Sequence, residues 1–200
     1  MKYPIFASFI ILTLVIRHAI RRNRRLDENS RHSFWDIERA ANEVRRKPLD
    51  DLIFVVPDMS RFPLSVMEDD EIVRDCRRMV EELSAQKIVN LTGQTNTDLK
   101  FRYGAANLPT LMEYDERFTL LVQNLQKWAD RLWDNGYVED SIPILEEQIR
   151  IHADISSVYR KLAAYYRDNG MPEKIDELRK SAESLNSASK ASILRSLDQA

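Results

Sequence analysis

The feature that most constrains this chain is a pair of helical segments that match each other at an offset of 34 residues. Large, small and again large residues recur in the pairs Leu125 and Tyr159, Ala129 and Ala163, and Leu132 and Tyr166. An Asn-Gly pair follows each segment, at residues 135–136 and 169–170. A helical unit repeated at this period buries its apolar face only by stacking on a neighbour. The repeat therefore predicts an all-α fold made of antiparallel helix hairpins.

Composition favours the same fold class and argues against a metal or a cofactor. The chain has only 4 glycines in 200 residues, which is too few for many tight β-hairpins. Cys76 is the single cysteine, so a disulfide within the chain and a multi-cysteine metal site are both excluded. The three histidines, His18, His32 and His152, lack the spacing of metal ligands. We predict no metal site and no cofactor.

Other apolar patterns extend the helical prediction along the chain. Apolar residues at helical spacing from Ile72 to Leu83 place Cys76 inside the core. A shorter helix is predicted over Leu99–Leu108, with Gly104 inside it and Pro109 after its end. A terminal helix over Ala188–Leu197 is predicted to cover the open end of the stack.

The two matching segments resemble the tetratricopeptide repeat (TPR) family. That family has a large residue, an Ala, an aromatic or aliphatic residue and a Gly at spacings of four, three and four. The matching positions are Leu125, Ala129, Leu132 and Gly136, and then Tyr159, Ala163, Tyr166 and Gly170. Ser141 and Ile175 depart from the Ala that the family prefers in the second helix. The resemblance implies a TPR-like α-solenoid over residues 67–200, with its clearest repeats at 122–153 and 156–186.

The resemblance also implies where a partner would bind. In the TPR family the first helix of each unit lines a concave groove that holds a protein or a peptide. The matching groove positions are Gln126, Asp130, Trp133, Arg160 and Arg167. Trp133 lies between polar residues, so it is either an exposed aromatic anchor or a side chain packed on a neighbouring helix. No catalytic residue is implied.

The N-terminus has the pattern of a membrane anchor. Residues 4–16 carry no charge, and the stretch to Ile20 is close to the roughly 17–25 residues that span a bilayer. Arginines follow the apolar run, at Arg17, Arg21, Arg22, Arg24 and Arg25. A secretory signal has the opposite order of charge and a small-residue cleavage site. We predict a single-pass anchor over residues 1–20 in the cell membrane, with the N-terminus outside and the C-terminal domain in the cytoplasm. The alternative is a buried core helix, which would show a polar face.

Residues 21–66 are predicted to form a basic juxtamembrane segment, an amphipathic helix and an extended linker. Residues 1–47 carry eleven Lys and Arg against five Asp and Glu, while the whole chain has a net charge of −2. The arginine run lacks interleaved aromatic residues and precedes an acidic body, so we predict no nucleic-acid binding. The helix around Phe34–Val44 either lies along the membrane or docks on the domain. Leu52–Val56 has strand-like residues but no evident partner strand, which favours an extended segment lying on the helical domain.

Three functions remain open at this stage. The leading hypothesis is a membrane-anchored scaffold or adaptor that binds a protein or peptide partner at the cytoplasmic face. A permanent structural subunit of a membrane complex would share every predicted feature. A helical enzyme of unknown reaction would need a convergent set of polar residues. Its candidates lie scattered over the chain without a signature spacing, at Asp98, Tyr103, Tyr114, Asp115, Glu116, His152 and Tyr165.

Overall fold

The computed structural model describes residues 16–17 and 33–199, and within these ranges the protein is all-α, as predicted. The helices are α1 (residues 33–42), α2 (Glu71–Ser84), α3 (Asn96–Tyr103), α4 (Leu108–Asp134), α5 (Val138–Arg150), α6 (Ser156–Asp168), α7 (Pro172–Ser184) and α8 (Lys190–Gln199). No helix in the described ranges is both long and apolar enough to cross a membrane. The predicted anchor lies outside the described residues, apart from Ile16 and Arg17, which are helical and exposed.

The chain divides into two compact units. Among the described residues, the first unit contains 16–17, 33–47 and Asn96–Asn107. The second contains Pro48–Thr95 and residues 108–199. Each unit is therefore assembled from two separate stretches of chain.

The first unit is held together by contacts between α1 and α3. Ala41 of α1 is fully buried. Glu38, one turn earlier, accepts a hydrogen bond of 2.8 Å from the Thr97 hydroxyl and pairs with the Lys100 ammonium. These two donors, Lys100 first, hold the pKa of the Glu38 carboxyl below its usual range. The buried Asn107 amide closes the unit by donating to the carbonyls of Lys47 and Tyr103, at 2.7 Å and 2.8 Å.

In the second unit, every helix packs on the next helix of that unit, and one further packed pair, α6 and α8, is not consecutive. α4 packs on α2 and α5, α6 packs on α5 and α7, and α8 packs on both α6 and α7. Trp128, Leu132 and Tyr159 are fully buried at the centre of this core. Cys76 is also buried, as the helical spacing predicts, and desolvation raises the pKa of its thiol.

The two Asn-Gly pairs end α4 and α6 in the same way. Gly136 donates to the Trp133 carbonyl and Tyr137 to the Leu132 carbonyl, at 3.1 Å and 3.0 Å. After α6, Gly170 donates to Arg167 and Met171 to Tyr166, at 3.0 Å and 2.8 Å. Both glycines have positive φ, +87° and +67°. This pattern is the Schellman motif, in which a left-handed residue lets the chain turn sharply out of the helix. The repeat seen in the sequence is thus also a repeat of helix endings.

α5 ends in the same motif without a glycine. His152 donates to Ile149 and Ala153 to Gln148, at 3.0 Å and 2.9 Å, and His152 has a φ of +58°. Histidine tolerates the left-handed region better than most residues. The unusual backbone of His152 is therefore explained by the end of the helix.

The extended segment before α2 belongs to the core of the second unit. Phe54 forms an isolated antiparallel bridge with Val89, a partner that the sequence did not reveal. Phe62 is buried and packs edge-on against Trp128, with ring centroids 5.5 Å apart. Between Phe54 and Phe62, the Asp58 N–H donates to the buried carboxylate of Glu147 at 3.1 Å. The segment is thus fixed by side-chain packing and hydrogen bonds.

The predicted end of the helix around Leu99 is wrong. α3 runs over Asn96–Tyr103, and Gly104 follows it with a φ of +87°. A left-handed glycine ends a helix, because its N–H closes the last turn, here on the Lys100 carbonyl at 2.8 Å. Pro109 is the second residue of α4 and does not end a helix, since the N–H that it lacks has no helical partner there.

Candidate partner-binding surface

Helix α4 brings three of the predicted groove residues to one side. Gln126, Asp130 and Trp133 are spaced by four and three residues, so their side chains lie on one face of the helix. The Gln126 amide donates to Asp130 Oδ1 at 2.7 Å. All three side chains are half-buried.

Lys161 of α6 completes this cluster. Its Nζ donates to Asp130 Oδ1 at 2.8 Å and lies 4.9 Å from the centroid of the Trp133 ring. A cation at that distance from an indole face is stabilised by the ring quadrupole. Trp133 also packs against the hydrophobic core. The two readings of Trp133 therefore both hold in part, because the indole packs on its neighbours and keeps a partly exposed face.

Sequence reasoning missed Lys161, although the chain carries a signal for it. Lys127 and Lys161 occupy matching positions at the offset of 34 residues. The groove positions taken from the family lie one residue away on each helix. Only the packing of α6 against its neighbours turns Lys161 toward Asp130, and that packing is not readable from one helix alone.

A shallow depression of about 440 Å³ adjoins the cluster. Its lining mixes apolar, amide and charged side chains, namely Ile72, Gln123, Gln126, Lys127, Asp130, Arg131, Asp134 and Ile155. Gln126 Oε1 is buried and has no hydrogen-bond partner among the described residues. A buried acceptor without a donor costs about 1–3 kcal/mol, and its burial keeps this oxygen out of reach of a donor outside the protein.

An ion pair fixes the edge of the depression. Asp70 Oδ1 caps α2 by accepting from the N–H groups of Ile72 and Val73, at 3.0 Å and 3.1 Å. Its other oxygen accepts from Nε and Nη2 of Arg131, at 2.9 Å and 2.7 Å. The hydrogen bond from Arg131 is the main reason that the pKa of the Asp70 carboxyl is lowered. This pair ties the start of α2 to the last turns of α4.

The other predicted site residues are not part of the cluster. Arg160 and Arg167 lie one above the other on α6 and are exposed. Within the described residues, no hydrogen bond or ion pair joins either side chain to Asp130. Arg17 is exposed, and Arg21, Arg22, Arg24 and Arg25 lie outside the described residues.

Three of the residues considered for an enzyme make contacts within the fold. Asp115 accepts from the Leu91 N–H at 3.0 Å, and the Tyr114 ring packs on Phe54. His152 lies 3.4 Å from the Ser184 hydroxyl, which itself donates to the Ser181 carbonyl. In the described part of the chain, no group of His, Cys, Asp and Glu side chains is arranged to hold a metal ion.

Comparison with models of protein families, with curated proteins and with solved structures found no match in any of the three. The class of the protein therefore rests on its own fold and surface. The described residues define an all-α protein in which α4 and α6 share a polar surface with one partly exposed tryptophan.

Proposed function

We propose that the protein is a membrane-anchored, TPR-like adaptor that binds a protein or peptide at the cytoplasmic face of the cell membrane. Residues 1–20 are the single-pass anchor, with the N-terminus outside. The support is the uncharged run followed by five arginines, because cytoplasmic flanks of anchors are enriched in Lys and Arg.

The observation that carries the binding role is the cluster of Gln126, Asp130, Trp133 and Lys161 beside an open depression. Partner-binding surfaces favour a half-exposed aromatic anchor surrounded by polar groups. The Asp130 carboxylate, whose side chain is 41% exposed, suits a backbone N–H of a bound peptide. No described group in this cluster offers an activated nucleophile, so recognition explains it better than catalysis.

The TPR-like arrangement is supported by the repeated details of the two hairpins. Ala129 and Ala163 are both fully buried, which allows the close helix approach that a small residue permits. Asn135 and Asn169 each donate from the side-chain amide to the carbonyl four residues earlier, at 2.7 Å and 2.9 Å. Such local agreement between two units is expected when they share one packing scheme.

Site-specific photocrosslinking in cells tests this proposal. A photoreactive residue at Lys127, which lines the depression, is expected to capture a small and reproducible set of proteins in the membrane fraction. The matched control replaces Lys180, an exposed lysine of α7, with the same photoreactive residue. Crosslinks that are equal at the two positions would contradict a binding surface on α4.

A second variant tests the cluster itself. Lys161→Ala removes the contacts with Asp130 and Trp133 and is expected to reduce the crosslinks from position 127 at least about tenfold, if the cluster supplies about 1.4 kcal/mol of binding. The Tm of this variant is measured beside that of the parent chain, because only 24% of the Lys161 side chain is exposed and only a loss of crosslinking at unchanged Tm supports the cluster. If the Lys161→Ala variant crosslinks from position 127 as strongly as the parent chain does, the partner binds elsewhere.

A further inference from the structure

The first turns of α1 expose an apolar surface that the protein does not cover. Phe34, Trp35 and Ile37 are 55%, 61% and 49% exposed, and the rings of Phe34 and Trp35 lie edge-to-face with centroids 5.4 Å apart. Three large apolar side chains in four residues form a contiguous patch, which is unusual for a surface that faces only water.

Phe34 and Ile37 continue the face of α1 that is buried further along, and Trp35 lies at the edge of that face, 100° from Phe34. At 100° per residue, Phe34, Ile37, Glu38 and Ala41 fall within one side of the helix. Ala41 is fully buried and Glu38 is bonded to α3. α3 therefore covers the later half of this face and leaves the first half open.

The opposite face of α1 is polar and meets water. Asp36 and Arg39 form an exposed ion pair at 3.2 Å, and Ala40 and Glu43 are exposed as well. An amphipathic helix with aromatic residues on one side and charges on the other suits the boundary between lipid headgroups and acyl chains. Trp and Phe are favoured there, because a large ring gains from partial burial.

Chain length limits how far this patch can lie from the membrane. If residues 1–20 span the bilayer and the arginines to Arg25 lie among the headgroups, seven residues separate Arg25 from Ser33. Seven residues reach at most about 25 Å when fully extended. The charge also fits, since Arg45 is exposed after α1 and attracts anionic headgroups, while the exposed Arg46 also donates from Nε to Asn107 Oδ1 at 2.8 Å.

We infer that the first turns of α1 lie in the headgroup layer of an anionic bilayer, with Phe34, Trp35 and Ile37 inserted. This inference rests on the proposed anchor and adds a second, shallow contact to it. The lipid surface is the occupant of the patch, and it fixes the orientation of α1 relative to the membrane.

Fluorescent labelling of the full chain in vesicles tests the inference. Cys76 is buried, so a cysteine introduced as Phe34→Cys or Ile37→Cys is the accessible thiol for an environment-sensitive dye. Glu43→Cys, at the exposed residue directly after α1, is the matched control. The vesicles contain equal parts of phosphatidylcholine and phosphatidylglycerol, with and without a brominated acyl chain as quencher.

We expect the dyes at positions 34 and 37 to emit at shorter wavelength and to be quenched at least about twofold by the brominated lipid. The dye at position 43 is expected to be unaffected, because it faces water. Flotation of the same samples reports separately whether the chain is anchored. A chain that floats while its dye at 34 is unquenched overturns the inference and leaves the anchor intact.

Two other results also decide whether lipid covers the apolar patch of α1. A blue-shifted dye at 34 without quenching means that protein, such as a second copy of this chain, covers the patch, and the lipid occupant is then wrong. A chain that does not float overturns both the anchor and the contact of α1 with lipid.

Discussion

Asp70 makes two contacts at the edge of the depression beside α4, and the pH dependence of stability tests the charge that they share. It caps α2 and pairs with Arg131, which lowers the pKa of its carboxyl. A lowered pKa in the folded state means that the stabilising contribution is full above the unfolded value, about 3.9, and is lost as the pH falls through the folded value.

Asp70→Asn keeps an oxygen that can cap the helix but removes the charge that Arg131 needs. At neutral pH we expect its Tm to lie about 2–4 °C below that of the parent chain. The difference in Tm between the variant and the parent chain is expected to close as the pH falls below about 4, because Asp70 of the parent chain then loses its charge by protonation. Thermal unfolding followed by circular dichroism across the pH range measures both effects.

Asp69→Asn is the control for this change, because Asp69 is the exposed neighbour of Asp70. Its Tm should follow that of the parent at every pH. A Tm gap for Asp70→Asn that stays constant down to acid pH would mean that the ion pair with Arg131 does not stabilise the fold.

At the scale of single residues, helical periodicity places the part of the candidate surface that lies on one helix, and whether a partner binds there stays a prediction. Gln126, Asp130 and Trp133 follow from their spacing together with the family resemblance. Lys161 does not, because its contact with Asp130 depends on how α6 is rotated against α4. A rotation of one residue, 100°, would carry that ammonium away from Asp130, and no local pattern specifies it.

At the scale of helices and segments, the clearest test concerns the extended stretch before α2. Phe62 is buried against Trp128, whereas Leu64, two residues later, is 42% exposed. We expect Phe62→Ala to lower the free energy of unfolding by about 3–5 kcal/mol, the usual cost of emptying a buried aromatic site. Urea unfolding of the purified chain gives this value directly.

Leu64→Ala is the matched control, and we expect it to change the free energy of unfolding by less than about 0.5–1 kcal/mol, since its side chain already meets water. Equal values for the two variants would show that residues 57–64 form a linker outside the folded core. The position of this segment would then have no effect on the stability of α4.

The helix endings show which local signals can be read from sequence. The Asn-Gly pairs after α4 and α6 were predicted as stops, because glycine adopts the left-handed conformation without strain. The end of α5 at His152 carries no glycine, so it was recognisable only from the loss of apolar spacing. Gly104 and Pro109 gave the opposite result. Gly104 was predicted inside a helix and Pro109 after its end, whereas Gly104 ends α3 and Pro109 lies in the first turn of α4. Either residue type occurs inside a helix or at its boundary, depending on its neighbours.

At the scale of the whole molecule, the grouping of distant stretches was beyond local reasoning. Residues 33–47 join Asn96–Asn107 in one unit, with 48 residues of the other unit between them in sequence. Hydrogen bonds between Glu38 and Thr97, and between Asn107 and Lys47, create this grouping. Such pairs leave no periodic trace in a single chain, because each side chain has many other possible partners.

The proposed topology depends on the arginines that follow the apolar run. Lys2 is the single basic residue before that run, so the excess of positive charge after it should keep the C-terminal side in the cytoplasm. Replacing Arg21, Arg22, Arg24 and Arg25 by Gln removes most of this excess. We expect a substantial fraction of chains to invert, which a C-terminal reporter of cytoplasmic or external location measures as a mixed signal in place of a purely cytoplasmic one.

The control replaces the same number of cations far from the apolar run, and its members are Arg74, Arg78, Arg167 and Lys180. These side chains are exposed in the second unit, and distant charges have little influence on the orientation of an anchor. We therefore expect a purely cytoplasmic reporter signal in the control. If the variant without Arg21, Arg22, Arg24 and Arg25 also gives a purely cytoplasmic signal, these arginines do not set the orientation of the anchor. Arg17, which lies closer to the apolar run, would then be the next residue to replace.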